Sequence, residues 1–120
     1  FYYKTDQYSM IHPNSSIVIR KNARFSYAPT CTTDNLLEMS SCSEFILDET
    51  TLHSTTTGMK LTKGFLTIKG NCSIESDATC EGEGIKFGDG INEDNDLTVD
   101  IEAESTLNLT SGHIVSLNVN

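Results

Sequence analysis

Along most of the chain apolar and polar residues alternate with a period of two, the mark of strands that bury one face. The clearest run sets Leu97, Val99 and Ile101 on one side and Thr98, Asp100 and Glu102 on the other. It continues as Leu107 and Leu109 alternating with Asn108 and Thr110. Helical periodicity is nearly absent. The longest stretch without Gly or Pro, residues 30–57, is filled with Thr and Ser and sustains no helical repeat. No helix is expected, and the fold class is all-β.

The alternating pairs recur at a longer period. Ile17, Ile19, Phe25 and Tyr27 are matched 20 residues later by Leu37, Met39, Phe45 and Leu47. Leu37 and Met39 recur after 22 as Met59 and Leu61, Phe45 and Leu47 after 21 as Leu66 and Ile68, and Leu52 after 22 as Ile74. Met59 and Leu61 return after 26 as Ile85 and Phe87, inside the related segments 58–64 and 84–90. Two or three short strands per repeat, separated by Gly, Asn, Ser and Asp, predict a short parallel β-solenoid with apolar ladders down its interior. About four coils are expected, over 15–34, 35–57, 58–83 and 84–111, with 112–120 starting another. The alternative is an antiparallel β-sandwich, whose strands also alternate but which has no reason to repeat its inward pairs at a near-constant offset.

At 120 residues and 13.2 kDa there is room for one domain. Two parts are expected, an extended N-terminal arm over 1–13 and the solenoid over 14–120. A net charge of −9, with eight scattered Lys and Arg, argues against nucleic acid, which needs clustered cations to displace counterions. No apolar run is long enough for membrane insertion by a helix. Cys31, Cys42, Cys72 and Cys80 fit neither a zinc nor a redox CxxC spacing. Their even count predicts two disulfides, Cys31 with Cys42 and Cys72 with Cys80, each closing a short loop. The other reading is four reduced thiols. Phe1 is not an initiator Met, which suits a cleaved secretion signal or a shortened chain, and an extracellular or cell-surface location is expected.

The Gly-x-Lys-x segments, with Leu66–Asn71 and Asp96–Asp100, resemble coils of the secreted and surface β-helical proteins of bacteria. The resemblance extends over about residues 15–120 and rests on texture, not on a diagnostic motif. It implies a location and an architecture, since such proteins serve as adhesins, surface fibres and occasionally polysaccharide lyases.

Candidate chemistry is sparse. Asp48, Glu49, Glu75 and Asp77 fall in comparable turn regions with Lys60, Lys63, Lys69 and Lys86 nearby, and paired carboxylates would permit glycoside hydrolysis. Solvated outward positions explain the same residues, and a short stack leaves little groove for a polymer. His12, His53 and His113 have no Ser, Cys or carboxylate at motif spacing, so no nucleophile–base pair is expected. Asn92, Asp94 and Asp96 alternate as oxygen ligands of a calcium loop do, but Leu97 and Ala103 stand where its Gly and closing Glu belong. Calcium is therefore a weak candidate, and no other cofactor is expected. Sequons at Asn14, Asn71 and Asn108 are about as many as this composition yields by chance.

The ends carry the functional expectation. A solenoid that stops after Val115, Leu117 and Val119 leaves an open acceptor edge, and no capping helix is evident at either end. The arm, with Phe1, Tyr2, Tyr3 and Tyr8, has strand-like composition before Pro13. Strand addition to a neighbour would build an open filament, a homopolymer without catalysis. The alternatives are an arm that caps its own chain, or a monomeric adhesin binding surface glycan through exposed Thr, Asn and Tyr.

Overall fold

The computed structural model describes residues 1–29, 37–55, 59–77, 85–88 and 97–109. They form thirteen strands and no helix: β1 (Tyr2–Tyr3), β2 (Ser9–Ile11), β3 (Ser16–Ile19), β4 (Arg24–Tyr27), β5 (Leu37–Met39), β6 (Glu44–Asp48), β7 (Thr51–Ser54), β8 (Met59–Leu61), β9 (Phe65–Lys69), β10 (Asn71–Ser76), β11 (Lys86–Phe87), β12 (Thr98–Ile101) and β13 (Thr106–Leu109). Every strand pairs with the one three places along the chain. This gives three sheets, β1-β4-β7-β10-β13, β11-β8-β5-β2 and β12-β9-β6-β3. All pairings among them are parallel. An antiparallel sandwich is therefore not what these strands build, and the arrangement is compatible with a β-helix-like fold. Three successive strands, one per sheet, are called a rung below.

Side chains from the three sheets meet in one core. Ile17, Phe45, Leu66 and Val99 stand in register, as do Ile19, Leu47, Ile68 and Ile101. In the first sheet Phe25, Leu52, Ile74 and Leu109 form the matching column. Phe45, Leu47, Leu52, Met59, Leu61, Leu66 and Ile68 are wholly buried. Removing each such side chain from water contributes roughly 1.5–3 kcal/mol. Phe25 meets Phe1 in a stack (5.6 Å between centroids) and Phe45 edge-on (6.0 Å), which carries the core toward the N-terminal end.

The corners follow from residues that accept a left-handed backbone. His12–Ser15, with Pro13 second and Asn14 third at φ 60°, has the pattern of a type II turn, closed by the Ser15 N–H on the His12 carbonyl (3.2 Å). Cys42 and Gly64 take the corresponding place in the next two rungs, and Asn22, Glu49, Gly70 and Glu104 do so at the following corner. Gly64 is required twice over. Its φ is +79°, and an added Cβ would meet the Ser43 carbonyl oxygen at 2.4 Å.

The register corrects part of the sequence reading. Ile17 and Ile19 pair with Phe45 and Leu47, not with Leu37 and Met39, and Phe25 pairs with Leu52, not with Phe45. The 20-residue match had set one sheet of a rung against another, because inward pairs look alike in every sheet. The pairs Leu37–Met59, Phe45–Leu66, Leu47–Ile68, Leu52–Ile74 and Leu61–Phe87 are in register. Residues 1–13, expected as an extended arm, instead supply β1 and β2, which pair with β4 and β5 of their own chain. Ser9–Ile11 belong there because they repeat the inward-outward-inward pattern of Leu37–Met39.

Candidate functional site

Two features stand out, the ends of the sheets and a histidine bridge between rungs. One end is bounded by β1, β2 and β3, the other by β11, β12 and β13. In a parallel ladder alternate residues turn their backbone groups to opposite neighbours. The carbonyls of Phe1 and Tyr3 accept from Ser26 and Ala28, that of Ile11 from Ser40 and that of Ser15 from Glu44. Tyr2, Met10, Ser16 and Val18 therefore direct their backbone groups away from the stack. At the far end Thr98, Glu102 and Thr106 donate inward to Gly64, Ile68 and Gly70, which leaves the backbone groups of Val99, Ile101, Leu107 and Leu109 directed away from β9 and β10.

Two open depressions lie at the end bounded by β1, β2 and β3. Phe1, Tyr3, Met10, Ile11, Ile17 and Phe25 border one of about 390 Å³. A second, of about 300 Å³, lies under Ile17, Val18 and Ile19 beside Phe1 and Arg20. Phe1 is 77% exposed and Tyr2 66%, while Ile101 and Leu109 are about half exposed at the other end although their columns are apolar. Tyr8, half exposed, donates its hydroxyl to Glu38 (3.0 Å). Desolvation first, then that bond and the carboxylate's charge, push the phenol above its ordinary range.

The corner between the second and third strands of each rung carries charges that change sign from rung to rung. Arg20 and Lys21 occupy it first, Asp48 and Glu49 second, Lys69 third, and Glu102 and Glu104 fourth. Lys21 pairs with Glu49 at 2.5 Å and Lys69 with Glu102 at 3.1 Å. The hydrogen bond to Glu49, then its charge, holds the Lys21 ammonium above the usual lysine range. Arg24–Glu75 (3.0 Å) and Lys60–Glu38 (3.7 Å) make similar pairs on the outer faces. Of the carboxylates weighed for glycoside hydrolysis, Glu49, Glu75 and Asp77 are each held by a different basic partner.

His53 has two side-chain partners that motif spacing does not reach. Its Nδ1 lies 3.1 Å from Ser26 Oγ and its Nε2 2.8 Å from Asp77 Oδ2. The three residues come from β4, β7 and the position after β10, so the row crosses three rungs. Motif spacing missed it because its separations, 27 and 24 residues, are rung lengths. Ser26 is 1% exposed, so its hydroxyl faces no space for a substrate, and the row ties rungs together.

Cys42 is an exposed thiol and Cys72 a buried one. Their expected partners Cys31 and Cys80 lie outside the described residues, as do the calcium candidates Asn92, Asp94 and Asp96 and the expected edge residues Val115, Leu117 and Val119. Compared with known proteins, the chain matches no family, no curated protein and no solved structure.

Proposed function

We propose that this chain is a β-solenoid module whose work is architectural, with copies joining head to tail through the ends of their sheets. The single observation that carries this reading is that, among the described residues, β1, β2 and β3 at one end and β11, β12 and β13 at the other pair on one side only. A strand edge with free backbone groups is a template for another strand. Because the two ends differ, the contact is heterologous, and its repetition gives an open filament rather than a closed ring. The arm has no part as a donor while β1 and β2 pair within their own chain.

The test is sedimentation and negative-stain microscopy of the chain at micromolar concentration, beside Val18→Pro and Ile101→Lys. Each substitution disables one end and leaves the middle rungs intact. Elongated particles of the unaltered chain, reduced to single modules in either variant, are expected. Single modules in all three samples at any concentration would overturn the proposal.

A further inference from the structure

Among the described strands, the large apolar side chains that are exposed belong to strands with a single neighbour, with one exception. Phe65 lies in β9, which pairs with β6 on one side and β12 on the other, and it is still 46% exposed. Alternation explains its direction. Leu66 and Ile68 fill the core, so Phe65 and Thr67 project from the outer face of the sheet β12-β9-β6-β3. The other members of the Phe65 row are polar, Ser16, Glu44 and Thr98. The next outward row holds Val18, Ile46, Thr67 and Asp100, with Val18 exposed and Ile46 half-buried. A half-exposed ring set in a polar row contributes little to the core.

Two carboxylates flank the ring. Glu44 stands beside Phe65 in register, one strand spacing of about 4.8 Å away. Thr67 donates its hydroxyl to Glu44 Oε1 (3.0 Å) and so holds the carboxylate next to the ring. Asp100, exposed, is in register with Thr67 and lies diagonal to Phe65. None of the ion pairs among the described residues includes Glu44 or Asp100, and Lys69, the lysine of this sheet, is held by Glu102. An aromatic face between carboxylates suits a cation, which the ring attracts through its quadrupole and the carboxylates through charge-assisted hydrogen bonds. Arginine meets both at once, since its plane stacks on a ring while its fork reaches a carboxylate. The row of Val18 and Ile46 lies about 6.6–6.8 Å further along the strands, the spacing of alternate residues in an extended chain. A second copy laid face to face would set Glu44 and Asp100 against like charges, so the occupant is not this face of another copy.

We infer that the outer face of β12-β9-β6-β3, centred on Phe65, docks an extended segment of a partner protein that carries an arginine and, two residues on, an apolar side chain. The arginine lies on the Phe65 ring against Glu44, and the apolar side chain covers Ile46 and Val18. The net charge of −9 steers a basic segment toward the chain, and the ring and the fixed carboxylate select arginine within it. The face lies on the side of the stack, so its use is separate from any contact made through the ends.

The experiment titrates the full chain, labelled with ¹⁵N, with the peptide acetyl-Thr-Arg-Thr-Leu-Thr-amide, with the same peptide carrying lysine for arginine, and with maltotriose, and follows the backbone amide resonances. Phe65→Leu and Glu44→Gln are titrated beside it. The leucine keeps apolar bulk without the ring, and the glutamine still accepts from Thr67, so both variants retain the fold. Shifts confined to residues 44–48, 65–69 and 98–101 are expected with the arginine peptide, weaker binding with the lysine peptide, and a loss of affinity of about two- to fivefold in Phe65→Leu, with a loss also in Glu44→Gln. Shifts spread over the whole surface, or left unchanged by either variant, would mean attraction to net charge alone and would overturn the inference. Shifts at Phe65 with maltotriose and none with the arginine peptide would overturn it in favour of a glycan, and no shift with any probe would overturn it outright.

Discussion

The middle rungs and the end rungs are built from the same units, yet Leu47 and Ile68 are wholly buried while Ile101, in the same column, is about half exposed. Their strands have the same period and comparable side chains. What differs, among the described residues, is the number of neighbours, since a middle rung is covered on both sides and an end rung on one. Burial here is conferred by stacking and not by any strand alone, as in repeat architectures generally. A rung left without a neighbour is therefore apolar by construction.

Substitutions along one column sharpen that contrast. Phe45→Ala, wholly buried and edge-on to Phe25, is expected to cost about 3–5 kcal/mol in chemical denaturation. Leu47→Ala should cost about 2–5 kcal/mol, and Ile101→Ala about 1 kcal/mol or less, because half of that side chain already meets water. Equal losses at Leu47 and Ile101 would break the comparison. Gly64→Ala should cost about 1–3 kcal/mol through strain and the Ser43 contact, read from the same curves. His53→Ala leaves the buried Ser26 hydroxyl without its ring partner and should cost about 1–3 kcal/mol. The smallest effect belongs to the surface. Arg24→Ala should change stability by about 0–1 kcal/mol, and that difference should shrink in added salt.

The all-β class and the inward residues of the middle rungs were legible in the sequence because period-two alternation reports directly on a half-buried strand. Which strand pairs with which was less so. Ile17 and Leu37 are both inward, and alternation carries no label for the sheet a strand belongs to. Corner lengths also vary: four residues separate Ile19 from Arg24, but only Lys69 and Gly70 separate Ile68 from Asn71. A single offset therefore fails at the first rung. The Ser26–His53–Asp77 row was hidden for the same reason, since its members become neighbours only when the rung length is known. Tyr2 and Tyr3 were legible as strand but not as partners of β4, because two residues leave too little pattern to fix a register.

The thiol of Cys72 gives the stack an internal clock. Its sulfur lies 3.4 Å from the Leu47 carbonyl oxygen and 3.2 Å from that of Lys69, in a column sealed from solvent. An alkylating reagent reaches it only when β10 parts from β7 or from β13, so its rate of modification measures that opening. Cys42, exposed at its corner, reacts from the first moment and marks zero time on the same chain.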